Sequence, residues 1–318
     1  MEHHPEEIDE VIASLPKERG FLAPNLCLYQ NFWFPVTVLP NVITFQRHFR
    51  AKDNDIVLAS QPKAGTTWLK ALVFSIVNRR YFDISNTPLL TSNPHELVPF
   101  LEFTLYANNT KPNLEDFPEP RIFSTHLPYS CLPESVKRSN CRIVYICRNP
   151  LDTVVSSWHF FKSPVRSENQ PERSMEEHFE TFCDGKTGFG PFWDQTVGYW
   201  KESLEEPHKV LFLKCEDLTE NVVAQVKKVA EFVGLPFSTG EEEAGVIQGI
   251  AETCSLRKLK DLEVNKSGKF MPNFENRSYF RKGEVGDWAN SLSPPMVARL
   301  HSIMEEKMSP FGLEFKTR

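Results

Sequence analysis

Apolar and polar positions along the 318-residue chain fall into short, repeating blocks. Ile56-Val57-Leu58-Ala59-Ser60 is a continuous apolar run bounded by polar residues, the pattern of a strand buried on both faces. From Thr66 onward, apolar residues fall at Trp68, Leu69, Leu72, Val73, Ile76 and Val77, the spacing of a helix with one buried stripe. Residues 142–147 (RIVYIC) read as a second strand, followed by a polar RNP turn and a helix over 152–161. Residues 209–214 (KVLFLK) read as a third, followed by a helix over 220–233 that Gly234 stops. A shorter apolar pair, Ile122-Phe123, precedes Ser124-Thr125-His126. Strands alternating with helices predict an α/β fold with one domain, a central parallel sheet flanked by helices. Ligands of such sheets bind beyond the carboxyl ends of the strands. That rule brings together residues 61–68, His126 and Arg148.

Two polar, proline-bearing stretches read as loops: 163–174 (SPVRSENQPERS), a candidate flap, and 265–276 (NKSGKFMPNFEN), which leads to Arg281-Lys282-Gly283. There is no internal repeat, low-complexity tract or linker. The expectation is therefore a single domain over 1–318, with about the first 20 residues a disordered N-terminal segment.

Composition narrows the partners. The chain is 40% hydrophobic and 25% charged, with a net charge of −6, which argues against a surface that tracks nucleic acid. Seven cysteines, at 27, 131, 141, 147, 183, 215 and 254, are scattered without a CxxC pair and fit reduced thiols. The start, MEHHPEEIDE, is neither a secretory nor a mitochondrial leader, and the apolar stretch 33–45 holds Pro35 and Pro40 and is too short for a bilayer. A soluble cytoplasmic protein without nucleic-acid or membrane partners is expected.

The first strand runs into QPKAGTTW, residues 61–68. A strand–loop–helix turn of this kind, P-loop-like in form, points unpaired backbone N–H groups at whatever lies above the helix. Gly65 permits close approach, Thr66 and Thr67 add hydroxyls, and Lys63 adds a mobile positive charge. The set suits a tetrahedral anion. The Walker order GxxxxGK[ST] is absent, so magnesium-ATP is not implied. Trp68 suits stacking on a purine. Taken alone, the loop fits a surface turn with an incidental lysine equally well, and Arg148 fits an ordinary strand-end charge. Arg148 with Ser156, and Arg281 with Lys282, nevertheless add two further sets of anion donors. Three sets point to a ligand carrying more than one phosphate. No histidine pair has HExxH spacing, so no metal is expected.

At this point the chain resembles the cytosolic sulfotransferases, most closely those of plants, in its flavonoid and hydroxyjasmonate branch. QPKAGTTWLK is similar to that family's 5′-phosphosulfate loop, CRNPLDTVVSSWHF to its 3′-phosphate segment, and FRKGEVGDW to its C-terminal RKGxxGDW signature. STHLP is similar to its catalytic histidine motif. The resemblance covers nearly the whole chain, in the expected order. It implies transfer of the sulfonate of 3′-phosphoadenosine 5′-phosphosulfate to an acceptor hydroxyl, without a metal. On the family pattern Lys63, Ala64, Gly65, Thr66 and Thr67 hold the 5′ end, and Trp68 stacks on adenine. Arg148, Ser156, Arg281, Lys282 and Gly283 hold the 3′-phosphate. His126 is the general base and Lys63 neutralises the leaving oxygen.

Departures from the pattern are Ala64 for the usual serine, Leu151 in RNPLD, and Cys215 for the tyrosine that lies against the adenine. Cys254 stands for an adenine-contacting threonine of animal members, and Ser124 for a catalytic-site lysine common in them. Phe32, Trp33, Phe34, Phe103, Tyr106, Tyr129 and Phe160 are candidate walls for an apolar acceptor, a flavonoid or other phenolic, a hydroxyjasmonate or a steroid. The animal dimer motif KxxxTVxxxE has no counterpart, since Ala289, Ser293, Pro294 and Ala298 occupy its positions, so a monomer is expected. The alternatives are a P-loop-type nucleotide kinase and a non-catalytic nucleotide-binding module.

Overall fold

The computed structural model describes residues 5–20, 25–162, 174–271 and 274–317. A small antiparallel sheet comes first: β1 (Lys17–Glu18), β2 (Leu26–Tyr29) and β3 (Phe32–Pro35). The central sheet holds β4 (Ile56–Ser60), β5 (Ile122–Thr125), β6 (Arg142–Cys147) and β7 (Val210–Lys214) in the order β5-β4-β6-β7. All its pairings are parallel. A two-stranded ribbon, β8 (Lys269–Met271) and β9 (Phe274–Glu275), lies near the C-terminus.

The apolar runs are continuous because both faces of the central sheet are covered. Alternate residues feed two separate cores, as a two-residue side-chain period requires. Val57, Ala59, Phe123, Ile143, Tyr145, Val210 and Phe212 enter one. Ile56, Leu58, Ile122, Val144, Ile146, Leu211 and Leu213 enter the other, together with Leu69, Leu72, Val73 and Ile76 of the helix Thr66–Asn78. At the amino-terminal edge, Arg121 forks onto Asp55 through bonds of 2.7 and 2.6 Å, both side chains being buried, which locks β4 to β5.

The order places β4 between a strand reached on one side and a strand reached on the other. Its carboxyl end is thus the switch point of the sheet, where a crevice opens. The registers Ala59↔Thr125, Ser60↔Ile146 and Cys147↔Lys214 bring four strand ends to one edge. Residues 61–67, His126, Arg148 and Cys215 leave from that edge.

The expectation for the N-terminal segment needs correction. The first 20 residues are not simply disordered: Pro5–Ser14 is a helix and Lys17–Glu18 a strand. Ile8, Val11, Ile12 and Leu15 form a stripe at helical spacing that packs on the core, which the polar start of the chain conceals. The helix expected over 220–233 is present as Val222–Phe232, and a short helix not anticipated from sequence, Cys215–Glu220, precedes it. Asn221 separates the two with non-helical backbone and caps the second by accepting from the Ala224 N–H at 3.1 Å. Most of the candidate flap, residues 163–173, lies outside the described residues.

Candidate active site

Every strand-end segment anticipated from sequence lines one cavity of about 1220 Å³. One end is bounded by Cys215, Leu218, Val222, Ala251 and Leu256, the other by Leu26, Pro35, Phe103, Phe189 and Phe192. Its charge is one-sided. Arg19, Lys63, Arg148, Arg277, Arg281 and Lys282 line it, and among the described lining residues there is no aspartate or glutamate.

The 61–67 loop is built tightly. Lys63 and Gly65 both take left-handed backbone, with φ of +68° and +104°. A Cβ at residue 65 would stand 2.6 Å from Cys215 Sγ and 2.8 Å from Ile146 Cδ1, so only glycine fits under the loop. The Leu69 N–H bonds the Gly65 carbonyl at 3.0 Å and starts the helix, whose earlier N–H groups face the cavity end of the turn. Thr66 Oγ1 shares a 2.6 Å bond with Ser60 Oγ, so this residue faces the cavity chiefly through its backbone. Thr67 Oγ1 lies 3.0 Å from His95 Nε2.

Lys63 finds no carboxylate among the described residues. Its Nζ sits 3.9 Å from the Phe160 ring centroid and 5.7 Å from that of Tyr279. Burial pushes this ammonium down to about 7, and the nearby Arg148 and Arg281 push in the same direction.

His126 is 7% exposed and its Nδ1 lies 2.7 Å from the Ser60 carbonyl. A carbonyl only accepts, so Nδ1 carries the proton and Nε2 is left bare. Burial drives the imidazole down to about 3, the Ser60 carbonyl opposing and Lys70 and Lys63 assisting. The ring is therefore neutral across the physiological range. Its backbone is held from both sides: the N–H donates to Glu102 Oε1 at 2.7 Å, and the carbonyl accepts from Gln195 Nε2 at 2.6 Å.

The cations expected to serve a second anion also line the cavity. Arg148 donates to the Glu284 carbonyl and lies 3.4 Å from Asp152. Arg281 and Lys282 both contact Asp287, at 2.7 and 2.6 Å, and Arg281 Nε is buried with no hydrogen-bond partner among the described residues. Two cations on one carboxylate leave a net positive charge. Ser156 lines the same wall. Gly283, at φ +71°, passes so close to Leu256 that a Cβ would meet its Cδ2.

Some sequence expectations do not reach the cavity. Ala64 is fully buried beneath the loop, and its carbonyl accepts from Cys215 Sγ at 3.3 Å. Cys215 itself does line the wall. Cys254 turns inward, 3.3 Å from Ser75 Oγ, and Ser124 is spent on the Pro99 carbonyl. Of the seven candidate acceptor aromatics, Phe103 and Phe160 line the cavity; Phe32, Trp33, Phe34, Tyr106 and Tyr129 do not. Phe34 and Tyr106 instead fill the core.

Sequence reasoning missed Asp152, whose carboxylate accepts from the Gly286 and Trp288 N–H groups at 2.9 and 3.0 Å and so straps the C-terminal segment over the helix after β6. It missed His95 too. No local signal marks either pairing, because the partners lie 134 and 28 positions away. No cluster of three or more metal-capable side chains occurs among the described residues.

Residues 53–312 match the family model described as the sulfotransferase domain. Among curated proteins, cytosolic sulfotransferase 15 of Arabidopsis thaliana is 48% identical over 98% of this chain and 87% of its own length. Cytosolic sulfotransferase 14 of the same plant is 48% identical, covering 98% and 91%. A solved structure of an Arabidopsis thaliana protein described as a candidate steroid sulphotransferase superposes with a TM-score of 0.76 at 37% identity, covering 99% of each chain. A mouse sulfotransferase crystallised with PAP gives 0.68 at 26% identity over 89% of this chain and 95% of its own.

Proposed function

The chain belongs to the sulfotransferase family, and from that premise we propose that it moves the sulfonate of 3′-phosphoadenosine 5′-phosphosulfate onto a hydroxyl of a small hydrophobic acceptor, with His126 as the base. The observation that carries this reading is the meeting of Lys63 and of the bare Nε2 of His126 in one cavity whose described lining residues include cations and no carboxylate.

The residues present fit such a donor. The glycine-tight turn, the free Lys63 ammonium and the amides of the first helical turn would hold its 5′ end. Trp68 would lie against adenine, with Cys215 on the same wall. Arg148, Ser156, Arg281, Lys282 and Gly283 would hold the 3′-phosphate. When bound, the donor supplies the sulfonate and a phosphate oxygen that gathers negative charge as the sulfonate departs. His126 Nε2 takes the acceptor's hydroxyl proton, which makes the oxygen nucleophilic. Lys63 stands by to neutralise the leaving oxygen. Cations and dipoles supply these electrostatics, so no metal is called on.

The test has two parts. Adenosine 3′,5′-bisphosphate without magnesium should raise the melting temperature by several degrees, and ATP with magnesium by less. An isotopically labelled donor, offered with phenols, hydroxyjasmonates and steroids, should label at least one acceptor. A chain stabilised by ATP and magnesium instead would be the kinase; one that binds and never transfers would be the non-catalytic module.

The acceptor end carries its own charge. Arg19, an exposed part of the wall near Leu26 and Pro35, has no ion-pair partner among the described residues, whereas Arg277 is paired with Glu275 at 2.5 Å. This favours acceptors that bear a carboxylate. A hydroxylated acid should be sulfonated with roughly three- to tenfold higher kcat/KM than its methyl ester, and Arg19→Ala should erase the difference, which high salt also weakens. Equal rates for acid and ester in the parent enzyme would remove this preference. The seven cysteines are all free, as suits the reducing setting of the cytosol. We take the protein to act as one domain and as a monomer.

A further inference from the structure

Close to His126, outside the cavity lining, lie two buried ionisable groups that the reaction does not use. Glu102 is 0% exposed and sits on a π-helical turn, Leu101–Leu105, whose Leu105 and Tyr106 N–H groups reach back five residues to Phe100 and Leu101 at 3.1 and 2.9 Å. One oxygen, Oε1, accepts the backbone N–H of His126; the other, Oε2, is buried without a well-formed hydrogen bond. Lys70, four positions beyond the start of the helix Thr66–Asn78, is also 0% exposed. Its Nζ has no hydrogen-bond partner among the described residues and rests 3.3 Å from the centroid of Phe100, whose ring packs 4.8 Å from that of His126.

Burying a carboxyl and an amine with incomplete bonding is costly, and an apolar pair would fill the same space. Neither group lines the cavity. We propose that Glu102 is a positioning residue for His126, holding its backbone and offsetting the positive charge the ring gains when it takes a proton, and that Lys70 is the counter-charge that keeps this from happening early. The proposal rests on the reading of His126 as the base.

The electrostatic surroundings agree. Burial lifts the Glu102 carboxyl to about 7, while the His126 N–H, the Thr125 hydroxyl and Lys70 pull it down. Burial holds Lys70 well below its ordinary value, with Glu102 opposing. Lys70 and Lys63 both disfavour a charged His126. His95, from the helix Pro94–Leu97, is itself held neutral by burial and by these same cations, and Tyr199 feels Glu102 from the helix Phe192–Glu205. Glu102 is the carboxyl among these groups, bonded to the His126 N–H, and its negative form opposes the charge of Lys70. Removing it should lower the pKa of His126, and removing Lys70 should raise it. A merely structural pair would produce no such opposite shifts.

The experiment is an NMR titration of 13Cε1-histidine in the complex with adenosine 3′,5′-bisphosphate, with the His126 resonance assigned by its loss in His126→Ala. Glu102→Gln keeps an oxygen to accept the His126 N–H but carries no charge. It should move the His126 titration down by about half a unit or more, and Lys70→Met should move it up by a similar amount. Turnover at saturating donor should fall about tenfold or more in Glu102→Gln, Glu102→Asp should recover part of it, and nucleotide affinity should stay within about twofold throughout. Should Glu102→Gln prove insoluble, the upward shift in Lys70→Met decides alone. A His126 titration that stays put in both variants, or moves the same way in both, overturns the proposal. That result is distinct from failure of the base assignment, which would appear as turnover surviving in His126→Ala.

Discussion

His126→Ala is expected to lose transfer by a factor of about 10²–10⁴ while its affinity for adenosine 3′,5′-bisphosphate changes by less than about twofold. The separation follows from geometry. The ring donates from Nδ1 to the Ser60 carbonyl and offers Nε2 as its only acceptor, yet it makes no contact with the cations that would grip the nucleotide. Its backbone is fixed by Glu102 and Gln195, so truncating the side chain leaves the strand end in place. The lost ring packs against Phe100, Phe103 and Phe189, and some stability goes with it. His126→Asn controls for that, because its amide nitrogen can still donate to Ser60 while no base remains. Single-turnover kinetics with labelled donor, beside calorimetric titration of the bisphosphate, read both quantities. If both variants kept turnover within about tenfold of the parent, the proton would have to leave by another route.

How far this site could be read from the sequence depends on the range of the interactions that make it. The four strands of the central sheet were legible because burial on both faces writes an uninterrupted apolar run, and a strand end followed by Gly or Arg needs no tertiary knowledge to be noticed. Lys63, Gly65, His126 and Arg148 are therefore legible in the sequence, and they do share one cavity. Ala64 shows where residue-by-residue reading stops: it lies within the loop and still points under it, toward Cys215. The acceptor wall was read poorly. Phe34 and Phe103 look alike in sequence and both pack edge-on against Phe189, but Phe34 is wholly buried in the core and Phe103 reaches the cavity. The Glu102 and Lys70 pair was invisible for a related reason. Each sits in an otherwise helical or apolar stretch where a charged residue normally faces water, and only packing reveals that neither does.

Lys63→Ala should slow the chemical step by about 10²–10³, since the cation is asked to meet charge that grows on the leaving oxygen, and should also weaken binding of the bisphosphate at pH 8 by about tenfold or more, because a proton taken up on binding stabilises the complex. The replacement is sterically mild: alanine inherits the same left-handed backbone at φ +68°, and the lysine stem is half-buried against Phe160. A second signature marks this side chain. Burial, with Arg148 and Arg281 nearby, holds its ammonium at about 7 in the nucleotide-free protein. At pH 8 the amine is then mostly neutral. An anion placed beside it favours the charged form and raises the pKa toward its ordinary range, so binding must draw a proton from solution. The uptake should approach one proton per site near pH 8, shrink below pH 6 where Lys63 is already charged, and shrink again above pH 10 where it stays neutral even when bound. Calorimetry of bisphosphate binding in two buffers of different ionisation heat measures that number directly. In Lys63→Ala it should drop to near zero at pH 8. An unchanged uptake in the variant would assign the proton to another group and take from Lys63 its place beside the leaving oxygen.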